Sequence, residues 1–155
     1  MGLRVRPGLL RQHFKAAVEK GSIDPETFAV YGQLLSSSGA APTEIIAVMR
    51  RVTELAPDSI DAWLNLGVTQ ARAREYESAL ETLAHIQKVT PERAFALFYE
   101  QAYCYARLNE IEQARAFLVR AKPYASTPQQ KQDAAQLATA LDVVADHTNP
   151  EVPRR

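Results

Sequence analysis

The sequence predicts an all-α fold built from stacked helix-turn-helix units, and three observations predict it. Apolar residues recur three and four positions apart along nearly the whole chain, and strand-like alternation is almost absent. Prolines fall between these periodic segments rather than within them. The pattern also returns on itself at a step of 35 residues. Trp63 and Phe98, Tyr76 and Ile111, Ala79 and Ala114, and Leu83 and Leu118 share one register. The same interval in the other direction carries Trp63 to Phe28, Leu66 to Tyr31 and Gly67 to Gly32.

Helices are expected near 7–20, 24–37, 42–55, 59–73, 75–89, 91–107, 110–122 and 127–146. In the first, Leu10, Phe14, Ala17 and Val18 form the apolar stripe. Asp24-Pro25 opens the second with an acidic N-cap and a proline at the first helical position, where a missing N–H costs nothing. The turn after it, Ser36-Ser37-Ser38-Gly39-Ala40-Ala41-Pro42, reads about one residue longer than its later counterparts. Thr90-Pro91 repeats the proline device at the sixth helix. Before the eighth, Thr127-Pro128-Gln129-Gln130 places a glutamine three residues after the cap, as a capping box requires. The eighth then carries Ala134, Leu137, Ala138, Leu141 and Val144 on one stripe.

Gly32, Gly67 and Ala102 occupy one register of the repeat. A minimal side chain there lets two antiparallel helices approach closely, with large residues a turn away filling the flanks. Each pair cannot bury its apolar face alone, so three in series is about the minimum for a stable stack.

The spacing of Trp63, Leu66, Gly67, Ala79, Leu83 and Pro91 resembles the tetratricopeptide repeat (TPR) family over about residues 24–123. The middle repeat departs from the family pattern at Gln70, where tyrosine is usual. The last keeps Ala102, Tyr105, Ala114, Leu118 and Ala121 but has Gln101 in place of leucine. The first keeps Phe28, Tyr31, Gly32 and Leu35, with Ile45 in place of alanine. The resemblance implies a right-handed superhelix, in which Phe28, Gly32, Trp63, Leu66, Gly67, Ala79, Leu83, Phe98, Ala102, Tyr105, Ala114 and Leu118 pack the repeats. It divides the chain into an N-terminal helix (1–23), an upstream half-repeat or a cap, followed by three repeats (24–58, 59–92 and 93–126). A capping helix (127–146) and a disordered tail (147–155) complete the division.

In this family the first helix of each pair lines a concave surface. Carried over, that implies Asp61, Leu64, Asn65, Val68, Ala71 and Arg72 in the middle repeat. In the last it implies Ala96, Tyr99, Glu100, Tyr103, Ala106 and Arg107, and in the first Glu26, Ala29, Val30, Gln33, Ser36 and Ser37. Asp61, Asn65, Val68, Arg72, Tyr99, Glu100, Tyr103, Arg107 and Gln33 are the candidate partner-binding residues, since tyrosine and arginine dominate binding hot spots. Members that grip a C-terminal carboxylate use lysine, asparagine and arginine where this chain has Ala29, Gln33, Ala96 and Glu100, so such a clamp is not expected.

Composition narrows the remaining classes. Lysine plus arginine and aspartate plus glutamate both number 18, which leaves no global basic excess to displace nucleic-acid counterions. Arg4, Arg6, Arg11, Lys15 and Lys20 against Glu19 make a basic start that reads as a solvated face. No apolar run approaches the roughly 18 residues of a membrane helix, and no signal peptide is visible, so a soluble, by default cytoplasmic, protein is expected.

Cys104 is the only cysteine, which precludes an internal disulfide or a thiolate metal site, and reads as a small buried hydrophobe. His13, His85 and His147 lack metal-ligand spacing. Glu110 and Glu112 suit the positive end of a helix dipole. No catalytic residue, metal or cofactor is predicted. The expected function is a protein- or peptide-binding scaffold. A self-assembling or intramolecular structural segment, with a homo-oligomer open, and a small secretion-type chaperone are the alternatives.

Overall fold

The computed structural model describes residues 7–21 and 24–148, without the side chains of Pro7, Leu10, Arg11, Val18 and Thr148. Among the described residues there are eight α-helices and no strand. They fall into two compact units, Met1–Ala73 and Arg74–Arg155.

The first unit contains α1 (Pro7–Glu19), α2 (Pro25–Ser37), α3 (Pro42–Leu55) and α4 (Ile60–Arg72). The Asp24 cap forms as expected: the N–H groups of Glu26 and Thr27 donate to its carboxylate at 3.3 and 3.0 Å, and the Thr27 hydroxyl adds a third bond. These bonds, the Thr27 hydroxyl foremost, hold the Asp24 carboxyl below its ordinary range. Phe28 and Leu35 of α2 pack with Ile45, Ile46, Met49 and Val52 of α3 and with Ala62 and Leu66 of α4 into one core. Gly32 sits where α2 meets α3. A Cβ there would overlap the Met49 methyl and stand 3.2 Å from its sulfur. On α1, Phe14 stacks on Tyr31 with ring centroids 5.0 Å apart, whereas Leu10 and Val18 of the expected stripe lie outside the described side chains. Trp63 is half-buried, and its indole N–H donates to the Pro57 carbonyl at 2.8 Å, tying α4 to the turn before it.

The second unit contains α5 (Tyr76–Leu83), α6 (Pro91–Arg107), α7 (Ile111–Ala121) and α8 (Pro128–Thr148), with an unpredicted 3₁₀ turn at Lys122–Tyr124. Here α6 packs on α5 and α7, and α8 covers α7. Small side chains make the α6–α7 approach possible: Ala102, Ala114 and Ala121 are wholly buried. Phe98, Leu97 and Leu118 are buried alongside them, and half-buried Tyr105 stacks on Phe117 at 5.3 Å. The Arg120 guanidinium lies over both the Phe98 and Phe117 rings, 4.2 and 4.9 Å from their centroids, which pins α7 across α6. The expected capping box opens α8: Gln130 N–H donates to the Thr127 hydroxyl at 3.1 Å, while Thr127 N–H donates to Gln130 Oε1 at 3.2 Å. His147 and Thr148, assigned to the tail by sequence, continue this helix, and the rest of the expected tail lies outside the described residues.

The largest correction concerns α5, expected over 75–89 but ending at Leu83. His85 N–H bonds the Thr82 carbonyl and Ile86 N–H that of Leu83, a tightening to three-residue steps. The Glu81 carbonyl, which a continuing helix would give to His85 N–H, instead faces His85 Nδ1 at 3.0 Å. A carbonyl only accepts, so Nδ1 carries the proton and the imidazole caps the helix. Downstream, Pro91 keeps Thr90 extended, and the β-branched Ile86 and Val89 favour the same state.

Backbone conformation carries a further periodicity. Gly39, Arg74 and Asn109 stand 35 residues apart, following α2, α4 and α6, and all have positive φ (71°, 65° and 62°). At two of these turns a six-to-one bond closes the helix end, Ala40 N–H to Leu35 O at 3.1 Å and Glu110 N–H to Tyr105 O at 2.9 Å. The connection after α2 spans residues 38–41, against 73–75 and 108–110, so it is one residue longer, as its sequence indicates. Glycine adopts the left-handed conformation without strain and asparagine tolerates it, whereas arginine does so at a cost. Arg74→Gly is therefore expected to stabilise the chain by up to about 1 kcal/mol and Arg74→Val to destabilise it by about 1–2 kcal/mol, as read from urea denaturation midpoints.

Both glutamines that break the family pattern are buried, Gln70 to 2% exposure and Gln101 to 9%, and each has an Oε1 atom without a hydrogen-bond partner. A buried, unpaired carbonyl oxygen is destabilising, whereas an apolar side chain of similar volume is not. Gln101→Leu is expected to raise stability by about 1 kcal/mol, measured by the same denaturation.

Candidate functional site

The residues expected at a binding surface lie on helix faces in both units, some exposed and some half-buried. On α4, Asp61, Asn65, Val68 and Arg72 follow at intervals of four, three and four, so they lie on one helical face. Asp61, Asn65 and Arg72 are exposed and Val68 is half-buried. Leu64 and Ala71, carried over with them, are buried, which removes them from this surface. On α2, Glu26 and Gln33 are exposed and Val30 retains 49% of its area, while Ser37 donates its hydroxyl to the Leu34 carbonyl at 2.9 Å.

The second stripe runs along α6 through Tyr99, Glu100, Tyr103 and Arg107. The first three are half-buried and Arg107 is exposed. Tyr99 stacks on Phe95 one turn earlier, with ring centroids 5.3 Å apart, and Phe95 is buried. Tyr103 meets the ring of Tyr76, the first residue of α5, edge-on at 6.3 Å. The Arg107 guanidinium lies over that ring, 5.6 Å from its centroid, and its Nε–H donates to the Tyr76 hydroxyl at 3.1 Å. Arg107 is thus held at one nitrogen and keeps both terminal amino groups for a further partner.

Sequence reasoning used Tyr76 only as a register marker and missed its role in placing Tyr103 and Arg107. Its counterpart 35 residues on is Ile111, and a hydroxyl replacing an apolar side chain at a packing position was the available signal. Asp133 of α8 was also missed. Burial, then the charges of Asp133 and Glu100 and finally Tyr103, raise the Tyr99 hydroxyl above its ordinary pKa. Asp133 itself accepts a bond from Gln129 at 2.7 Å. The α6 face therefore offers rings and one cation, edged by carboxylates.

Elsewhere the titratable groups serve the fold. Burial, and then the charge of Glu100, push the Cys104 thiol up to about 12, so it stays protonated as a small apolar filler. His147 Nδ1 meets the Val143 carbonyl at 2.6 Å, the contact His85 makes at the end of α5. No group of three His, Cys, Asp or Glu side chains converges among the described residues. No described helix is long and apolar enough to cross a membrane.

The helical fold is similar to that of solved tetratricopeptide repeat structures. YrrB, described as a TPR protein with an unusual peptide-binding site, superposes at a TM-score of 0.68 with 23% identity over 79% of this chain, which spans 62% of that one. PcrH, in complex with the chaperone binding region of PopD, superposes at 0.66 with 18% identity, covering 80% of this chain and 92% of its own. MamA from Desulfovibrio magneticus RS-1 superposes at 0.60 with 16% identity, covering 92% and 97%. No protein-family profile matches the chain, and no curated protein matches it. The likeness is one of fold: an all-α helical repeat.

The Tyr99 environment has a spectroscopic consequence. In a pH titration of tyrosinate absorbance, one of the six tyrosines is expected to ionise above the ordinary tyrosine range. Tyr99→Phe should remove that late component, and Asp133→Asn should shift it part of the way down, because the neutral amide no longer opposes the phenolate.

Proposed function

We propose that the chain is a protein-interaction module that holds a peptide or protein segment on an exposed helix face, that of α6 in the second unit or that of α4 in the first, without catalysis of its own. The observation that carries this reading is the Tyr76–Tyr103–Arg107 cluster. The Tyr76 ring and its hydroxyl hold an exposed arginine on the α6 face, with Tyr103 edge-on to that ring, which limits the side-chain entropy lost when a partner binds. The α4 stripe, in the first unit, is a separate candidate face with a different kind of contact. Asn65 has both donor and acceptor groups for a peptide backbone, Val68 adds an apolar patch, and Asp61 and Arg72 are charges at its two ends. Peptide binding in YrrB and the PopD region seated in PcrH are consistent with the reading.

On the same reading, residues 24–58, 59–92 and 93–126 are three repeats, 1–23 is an added N-terminal helix and 127–146 is a closing one. The basic and acidic residues balance, which favours a protein or peptide partner over nucleic acid. Ala29, Gln33, Ala96 and Glu100 offer no carboxylate clamp, so recognition of an acidic C-terminal tail through those positions is not part of the proposal.

The test compares capture of binding partners by the wild type, by Asn65→Ala/Arg72→Ala and by Tyr103→Ala/Arg107→Ala, each verified as folded by circular dichroism. At least one double variant is expected to lose tenfold or more in affinity for the captured segment, since a few anchors dominate such interfaces. Equal affinity for all three proteins would remove both faces as the binding surface.

A further inference from the structure

In the first unit α1, α2 and α3 line an open cleft of about 440 Å³. Its wall is hydrocarbon: the Phe28 and Tyr31 rings from α2, and the Ala47 and Val48 side chains from α3. The Tyr31 ring is fixed by its stack on Phe14, so this part of the wall is preformed. Among the described residues, charge enters through the long side chains of Lys15 and Glu19 on α1 and Arg51 on α3. The volume lies in the range of small-ligand pockets, which pair an apolar lining with a few polar groups. A single side chain inserted by a protein partner would leave most of it empty.

Among the lining charges, two cations from different helices stand against one carboxylate. Arg51 donates from Nη1 to Glu54 at 2.7 Å, but the two side chains are 46% and 60% exposed. An ion pair so open to water contributes little, and the guanidinium can exchange it for a ligand anion. We propose that this cleft binds a small amphiphilic organic anion: an aromatic or aliphatic body against Phe28, Tyr31 and Val48, with one carboxylate or sulfonate between Lys15 and Arg51. The site shares no residue with the α4 and α6 stripes, so it stands independently of the proposed partner-binding function.

The experiment titrates the full chain with two fluorescent probes of similar shape, anionic 8-anilino-1-naphthalenesulfonate and uncharged N-phenyl-1-naphthylamine, with dodecanoate as competitor. Both probes are expected to bind one to one and to be displaced by dodecanoate. Ala47→Leu, at an exposed position of α3, should narrow the cleft and weaken both probes at least tenfold, and Ala47→Met should repeat the effect by a second shape. Lys15→Gln/Arg51→Gln should weaken the anionic probe about tenfold and the uncharged one less than twofold. Thermal melts of all variants must match the wild type for the comparison to count, and the two Ala47 variants back each other if one melts early. Probe binding that survives both Ala47 variants would place the dyes elsewhere and overturn the proposal. A charge variant that weakens both probes alike, or neither, would overturn its anionic part. No binding to the wild type would overturn the whole and leave the cleft to a partner's side chains.

Discussion

At Gly32 the α2 backbone lies so close to α3 that one added carbon would overlap the Met49 methyl. Close approach of helix backbones, licensed by small side chains, is the constraint on which the rest of this structure depends. In the second unit Ala102, Ala114 and Ala121 perform the same task between α6 and α7, all wholly buried. Interiors pack near crystal density, so a larger residue at such a point must displace its neighbours. Phe28, Leu35, Met49, Leu97, Phe98 and Leu118 fill the space beside these contacts. The orientation of each helix follows, and with it the faces left outward: Asp61 to Arg72 on α4, and Tyr99 to Arg107 on α6.

Chain reversals are governed as strictly as packing, by different chemistry. Gly39, Arg74 and Asn109 recur at the repeat interval in the left-handed conformation. Three chemically unlike residues therefore perform one backbone task, which a comparison of side chains alone does not reveal. The helix starts were far more legible. Asp24 caps α2, and Thr127 and Gln130 exchange bonds at the start of α8, because these devices involve residues two or three positions apart. Helix ends were less so. At the end of α5 the backbone tightens to three-residue steps after Leu83, a change that propensity and periodicity do not encode.

The candidate surface shows the same division. Helical spacing was enough to put Asp61, Asn65, Val68 and Arg72 on one face, since they lie on a single helix. It could not show that neighbouring Leu64 and Ala71 are buried, because burial depends on contacts distant in sequence. Nor could it join Tyr76 to Arg107, which meet although they stand 31 positions apart in the chain. Asp133 acts on Tyr99 from another helix, and its effect on that hydroxyl arises from proximity and burial together. The cleft beneath Lys15 and Arg51 is equally a property of three helices at once.

Local and periodic information therefore resided in the sequence by itself: the all-α class, most of the helices, the 35-residue register, the caps and the small residues at close approach. These follow from interactions within a turn or two of helix, or from a pattern repeated often enough to be read without coordinates. Only the tertiary structure decided where α5 stops, which stripe residues stay exposed, how Tyr76 holds Arg107 and where a cleft opens. Each of these depends on non-local contacts, in which a side chain's environment is set by residues that the chain's order keeps far apart.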